Sequence, residues 1–292
     1  MKHTSRRRFL KHSAYAAMAA ALPRALWGRV LSAIPAVDQK FSATDTVTLG
    51  RTGITTSRLA MGTGTFGYGH QSRQSGLGVN GLSGLLQHGY DNGLRLFDTA
   101  DAYGTHAHVA DALKHVDRSK VTILTKSWAR EPGQLRADLD RYRRELGVDH
   151  LDIVLMHCLT EGDWTTQFRP AMEVLSEAKE KGILRAHGCS CHSIEALRAA
   201  AKSPWVEVDL ARINPIGSHM DADAATVGNV LKEMKASGKA VIGMKILGQG
   251  DLRQHQDQAI RYALGLGVLD AFTIGAESVA EQKDLMTRIA AA

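Results

Sequence analysis

Residues 121–157 read Val121-Thr-Ile-Leu-Thr-Lys126, then Pro132-Gly-Gln-Leu-Arg-Ala-Asp-Leu-Asp-Arg-Tyr-Arg-Arg-Glu-Leu146, then Leu151-Asp-Ile-Val-Leu-Met-His157. The outer runs are short, apolar and β-branched, as strands are. The middle run has helical periodicity, opens on Pro132 and stops at Gly147, where a left-handed residue ends helices. Strand, helix, strand with tight connections is the unit from which parallel sheets are built.

The unit repeats in both directions. Strand-like runs recur at Leu59–Gly62, Arg95–Asp98, Leu184–Cys189, Glu207–Arg212, Ala240–Lys245 and Ala271–Gly275. Helical windows lie at Gly84–Asn92, Val109–His115, Pro170–Lys181, Ile194–Lys202, Asp223–Ser237, His255–Leu264 and Val279–Ile289, several closed by glycine (Gly93, Gly182, Gly238). Eight strand–helix repeats predict an α/β fold closed as a (β/α)8 TIM barrel. Ahead of them, Thr46–Leu49 and Ile54–Thr56 flank Gly50-Arg-Thr-Gly53 and predict an N-terminal β-hairpin. The rival is an open doubly wound sheet, for which Gly62-Thr-Gly-Thr-Phe-Gly67 offers a G-x-G-x-x-G. No helix opens directly behind that segment, so the barrel is preferred. The expected division is residues 1–36 as a leader, 37–45 as a linker and 46–292 as one barrel domain.

Net charge is +6 over 292 residues, with a pI near 9.3. Seven of the 36 basic residues fall in residues 1–29, which hold no acid, leaving 29 basic against 30 acidic residues. The basicity belongs to the leader, and no basic stripe remains to bind nucleic acid. The leader reads Ser5-Arg-Arg-Arg-Phe-Leu-Lys11 before an alanine-rich run from Ser13 to Leu22. That run is too short for a stable membrane span, and the order of regions is that of a secretory signal. Its pattern resembles the twin-arginine (Tat) consensus, implying the Tat export machinery as a partner and a periplasmic location. Cleavage is expected between Ala25 and Ala36. Three cysteines, an odd number, cannot form a complete internal disulfide framework.

Polar residues at C-terminal strand ends are where barrels carry chemistry. Asp98, Lys126 and His157 each end a strand, spaced by one repeat, so they converge on one side of the mouth. Tyr103 follows Asp98 in the next loop. Four proton-handling groups then share a small volume.

Phe97-Asp-Thr-Ala-Asp-Ala-Tyr-Gly104 resembles the signature of the aldo-keto reductases, as do Leu49–Gly53, Leu59–Thr63, Thr125-Lys126 and Leu155–His157. The resemblance runs from about residue 46 to the C-terminus. It implies reduction of a small aldehyde or ketone to an alcohol by NAD(P)H, with NADP expected and NAD the alternative. Tyr103 would donate the proton, Lys126 would lower its pKa, Asp98 would hold Lys126, and His157 would bond the substrate oxygen. It also implies cofactor contacts at Gly62, Thr63, Ser190, Arg212, Leu247, Gly248, Gly250, Gly275, Ser278 and Gln282. Two positions depart from the family: Cys191 replaces an asparagine that grips the nicotinamide, and Arg212 replaces a glutamine. Lys245 is a further cation suited to a phosphate or to an internal ion pair.

Two rivals are weighed. Cys158, Cys189, Cys191 and His192 could serve metal or thiol redox chemistry, but Cys-x-Cys over two barrel strands is not an established zinc spacing, so no metal ligands are assigned. A non-catalytic nucleotide-binding barrel is the second, because a fold alone does not imply turnover.

Overall fold

The computed structural model describes residues 22–292. Residues 1–21, with the Ser5–Lys11 pattern and all but the last residue of the alanine-rich run, lie outside them. Eight parallel strands close into a barrel: β3 (Leu59–Gly62), β4 (Leu96–Asp98), β5 (Thr122–Ser127), β6 (Leu151–Leu159), β7 (Leu184–Cys191), β8 (Val208–Arg212), β9 (Ala240–Met244) and β10 (Ala271–Ile274), with β10 pairing back onto β3. Closure rules out the open doubly wound sheet.

An antiparallel hairpin, β1 (Thr46–Thr48) with β2 (Thr55–Ser57), precedes the barrel. Its turn buries Leu49 and Ile54 against Ala60, Leu96, Leu124 and Ala240, closing the end where the strands begin. Gly50 has φ +49°, and a Cβ there would sit 2.4 Å from the Ala240 nitrogen, so glycine is required.

The helices are α1 (Arg24–Ser32), α2 (Gly78–Asp91), α3 (His106–Leu113), α4 (Pro132–Leu146), α5 (Trp164–Gln167), α6 (Arg169–Glu180), α7 (Ile194–Lys202), α8 (Ala224–Ala236), α9 (Gln256–Gly265) and α10 (Val279–Ala291). The short helix α5 is not among those expected, and two others differ more consequentially. Helix α2 starts at Gly78 rather than Gly84, because burial of Leu82, Leu85 and Leu86 outweighs the poor propensity of Gly78, Gly81 and Gly84. Helix α1 falls within the stretch read as leader, yet buries Leu31, and the Leu22 amide donates to Ile216 O at 3.0 Å. None of the described helices is long and apolar enough to cross a membrane.

Strand alternation divides the side chains. Leu96, Leu124, Ile153, Leu155, Ala186, Val208 and Leu210 fill the barrel, whereas Phe97, Ile123, Val154, Met156, Cys189, Cys191 and Ala211 join the layer between strands and helices. By the same parity Asp98, Lys126, His157, Ser190 and Arg212 continue the inward rows toward the open mouth.

Candidate active site

At the mouth Lys126 is fully buried, and its ammonium donates to Asp98 Oδ1 at 2.5 Å and to Thr99 O at 2.8 Å. The second Asp98 oxygen accepts from Thr273 Oγ1 at 2.9 Å. A buried ion pair is tolerable only when its remaining hydrogen-bonding capacity is met in this way. Burial pulls the Lys126 pKa down most, but Asp98 and Tyr103 together outweigh it and the net shift is upward. Lys126 is therefore a permanent cation at neutral pH.

The Lys126 nitrogen stands 4.7 Å from the Tyr103 ring centre. Tyr103 closes a single 3-10 turn, Asp101–Tyr103, whose loop is tied down by threonines. Thr63 Oγ1 donates to Asp98 O at 2.9 Å, and Thr105 Oγ1 lies 2.9 Å from Thr63 Oγ1 and 2.7 Å from Thr99 Oγ1. The Tyr103 ring lies against two glycines of the segment noted for its G-x-G-x-x-G spacing. A Cβ on Gly64 or on Gly67 would come within 2.2 Å of the ring. These glycines admit the Tyr103 ring, a purpose that dinucleotide-fingerprint reasoning does not supply. Gly64→Ala is accordingly expected to displace the ring and lower kcat by about 100-fold, since misplacing a catalytic group by about 1 Å costs that much. Steady-state rates and circular dichroism, to show retained folding, check it.

Burial raises the Tyr103 pKa, and the Lys126 charge opposes this without overcoming it. The sequence reading had Lys126 lowering the phenol below its free value. Desolvation wins because the phenolate is the form that loses water, and the tyrosine rests as a phenol with a proton to give.

His157 lies edge-on to Tyr103, ring centres 5.8 Å apart, with Trp128 on another side at 5.3 Å. Burial, then the Lys126 charge, holds its pKa well below 6.5, so it is a neutral imidazole. Its carbonyl accepts from Arg130 at 2.6 Å. The β6–β7 register slips between Met156 and Leu159, leaving His157 and Cys158 opposite Ser190. Cys158 takes φ +59° and its amide donates to Ser190 Oγ at 3.1 Å. A bulge of this kind re-aims side chains beside active sites.

A cleft of about 510 Å³ leads away from Asp98 and Tyr103, past Lys245, Leu247 and Gly250, to Arg253, Glu277 and Glu281. Of the expected cofactor contacts, Gly62, Leu247, Gly250 and Gly275 line it, and Gly248 belongs to the same short 3-10 turn as Gly250. The others are engaged elsewhere. Thr63 and Ser190 make the bonds just described, Arg212 pairs with Asp221, Ser278 caps α10, and Gln282 binds His88 Nδ1 at 2.6 Å.

Several residues of the site escaped sequence reading. Thr273 was findable, because it shares the parity of Ala271 on a strand ending at the mouth. Trp128 and Arg130 lie beyond a strand end, where alternation predicts nothing. Lys245, by contrast, is already marked by the sequence as a cation suited to a phosphate; it lines the cleft with φ +59° and donates to Gln249 Oε1 at 2.8 Å. No carboxylate among the described residues pairs with it. A half-buried ammonium bounded by a glycine-rich turn suits the anionic middle of a dinucleotide, so the cleft fits one.

Cys158 lies 3.0 Å from a ring nitrogen of His192, but burial pushes its pKa up to about 12 despite Arg212 and Arg130. It is a thiol rather than a reactive thiolate, which weakens the thiol-redox alternative.

The sequence profile of the Aldo/keto reductase family matches residues 58–265. An aldo-keto reductase of Mycobacterium sp. (strain KMS) is 31% identical over 176 residues, 56% of this chain and 58% of that protein. The NADH-specific methylglyoxal reductase of Escherichia coli (strain K12) is 27% identical over 167 residues, 49% of this chain and 51% of that protein. The alignments thus span about half the length of these curated relatives. Among solved structures, a candidate aldo-keto reductase from Pseudomonas aeruginosa superposes with a TM-score of 0.72 at 19% identity, over 86% of this chain and 97% of that one. AKR11C1 of Bacillus halodurans gives 0.67 at 16% identity, over 84% and 91%. At these identities the structures speak for the fold.

Proposed function

The chain belongs to the aldo/keto reductase family, and on that premise we propose that it reduces small aldehydes or ketones to alcohols with NAD(P)H. The observation that carries the reading is the convergence of Asp98, Tyr103, Lys126 and His157 at one end of the cleft.

When bound, the nicotinamide cofactor supplies the hydride; the chain supplies the proton and the setting for charge. The carbonyl oxygen is placed toward Tyr103 and the neutral imidazole of His157. As negative charge grows on that oxygen, the Tyr103 hydroxyl donates its proton and His157 steadies the oxygen by a hydrogen bond. The phenolate left behind faces the Lys126 ammonium, which Asp98 and Thr99 O hold in place. Lys245, Gly248 and Gly250 would hold the anionic middle of the cofactor. Purified protein should oxidise NADPH or NADH when given methylglyoxal or another simple aldehyde. Failure to turn over any such aldehyde while cofactor binds would favour the non-catalytic barrel.

Burial, then the charge of Arg212, brings the Lys245 pKa down to about 8. An amine binds a phosphate only while protonated, so affinity should fall as pH rises through that value. Fluorescence titration is expected to show the Kd for NADPH rising about tenfold between about pH 7 and about pH 9.5. Lys245→Gln should weaken binding and remove the pH dependence.

We take the cofactor to be NADP, following the family resemblance, with Arg253 the cation at the far end of the cleft suited to a 2′-phosphate. NADH is the second reading. Glu277, Glu281 and Asp284 line that same end and would accept a ribose hydroxyl while repelling a phosphate, and Arg73 already faces Glu277 at 3.6 Å. The ratio of the two Kd values decides between them.

We also propose Tat export to the periplasm, on the Ser5–Lys11 pattern alone. Changing Arg6 and Arg7 to lysine should hold the protein in the cytoplasmic fraction, and unchanged export would exclude the route.

A further inference from the structure

The parity that sends Ser190 into the barrel turns its neighbours Cys189 and Cys191 outward, into the layer between strands and helices. Both are fully buried, with sulfurs 3.9 Å apart. Asp209 on β8 is the register partner of Cys189 and equally buried; its Oδ1 lies 3.3 Å from the Cys189 sulfur. All three donor groups fall within 4.8 Å of one another. The second carboxylate oxygen, Oδ2, is buried and has no hydrogen-bond partner.

We propose that Cys189, Cys191 and Asp209 form a structural binding site for a thiophilic divalent cation of the zinc type. A tetrahedral site with Zn–S near 2.3 Å and Zn–O near 2.1 Å sets sulfur–sulfur at about 3.8 Å and sulfur–oxygen at about 3.6 Å. The sulfur–sulfur separation of 3.9 Å matches the first value, and the Cys189–Asp209 separation of 3.3 Å is a little shorter than the second. The unpartnered Oδ2 supplies a fourth donor if the carboxylate binds through both oxygens.

Simpler accounts explain less. As small apolar side chains the cysteines would pack adequately, but that leaves a buried acid with an unmatched oxygen. A disulfide is disfavoured by geometry. Residues two apart on a strand stand parallel with Cα atoms about 6.7 Å apart, at the far limit for bridging.

Charge closes as well. Two thiolates and a carboxylate around a dication leave one negative charge, and the buried Lys239 is a cation close enough for Cys189 and Asp209 to influence it. Its ammonium donates to Ser203 O at 2.7 Å and Val206 O at 3.3 Å, and to neither acid nor thiol. Metal binding would release the thiol protons and, with no path from solvent, would occur as the chain folds. The ion would clamp β7 to β8 directly behind Ser190, which supports the bulge carrying His157.

The full-length protein, produced with added Zn2+, should contain about one zinc per chain by elemental analysis. Cobalt-substituted protein should show sulfur-to-metal charge transfer in the near ultraviolet, a readout needing no variant. Zinc should fall at least tenfold in Cys189→Ala/Cys191→Ala, which keeps the layer apolar, and persist in Cys158→Ala. Wild-type protein refolded with Zn2+ or Co2+ that binds neither, or zinc retained in the double variant, would overturn the site.

Discussion

Replacing Tyr103 with phenylalanine is expected to lower kcat for aldehyde reduction by about 10²–10⁴-fold while leaving the Kd for NADPH unchanged. Only a hydroxyl is removed. The ring remains against Gly64 and Gly67, the Lys126–Asp98 pair keeps its bonds, and the cleft floor at Lys245 is untouched. Because burial raises the tyrosine pKa, the wild-type rate should not decline through neutral pH for want of this proton, and loss on the alkaline side should begin above the usual phenol value. The variant should have no such limb to lose. NADPH oxidation followed across pH, beside fluorescence titration of the cofactor, measures both halves; wild-type turnover in the variant would remove Tyr103 from the reaction.

Lys126→Met should abolish turnover and also destabilise the fold by about 3–5 kcal/mol, the cost of stranding a buried carboxylate. In a domain of this size that is a drop of roughly 10 °C in Tm. The loss comes from Asp98, which would keep Thr273 but no counter-cation. Adding Asp98→Asn to Lys126→Met removes the stranded charge, so most of the Tm should return while activity does not. Thermal unfolding of the three proteins tests this. A double variant as unstable as the single one would mean that packing, not charge, sets the loss.

Asp98, Lys126 and His157 were legible because each lies at a strand end one repeat from the next, with Tyr103 in the loop after Asp98, and a barrel converts that spacing into proximity. Cys191 and Arg212 stand out as departures from the pattern of the family that the sequence resembles. Their fates were not legible: Arg212 is held by Asp221, nine residues on through an irregular loop whose path no periodicity encodes. Gln282 looked like a cofactor ligand and instead joins α10 to His88 on α2, because the side of a helix that meets a neighbour depends on how the helices pack. The glycines at 64 and 67 were read through a dinucleotide motif, when what matters is a tyrosine some 40 residues away in the chain.

By itself the sequence determined the eightfold strand–helix rhythm, the hairpin before it, the family likeness and the convergence of Asp98, Tyr103, Lys126 and His157 on one side of the mouth. These follow from local periodicity and from spacing that the barrel makes regular. The tertiary structure alone decided the protonation states, the cradle around Tyr103, the bulge at His157 and the gathering of Cys189, Cys191 and Asp209. Each of these depends on burial or on contacts between distant segments. Desolvation, which keeps the Tyr103 proton in place against the pull of Lys126, arises only once the chain has closed around them.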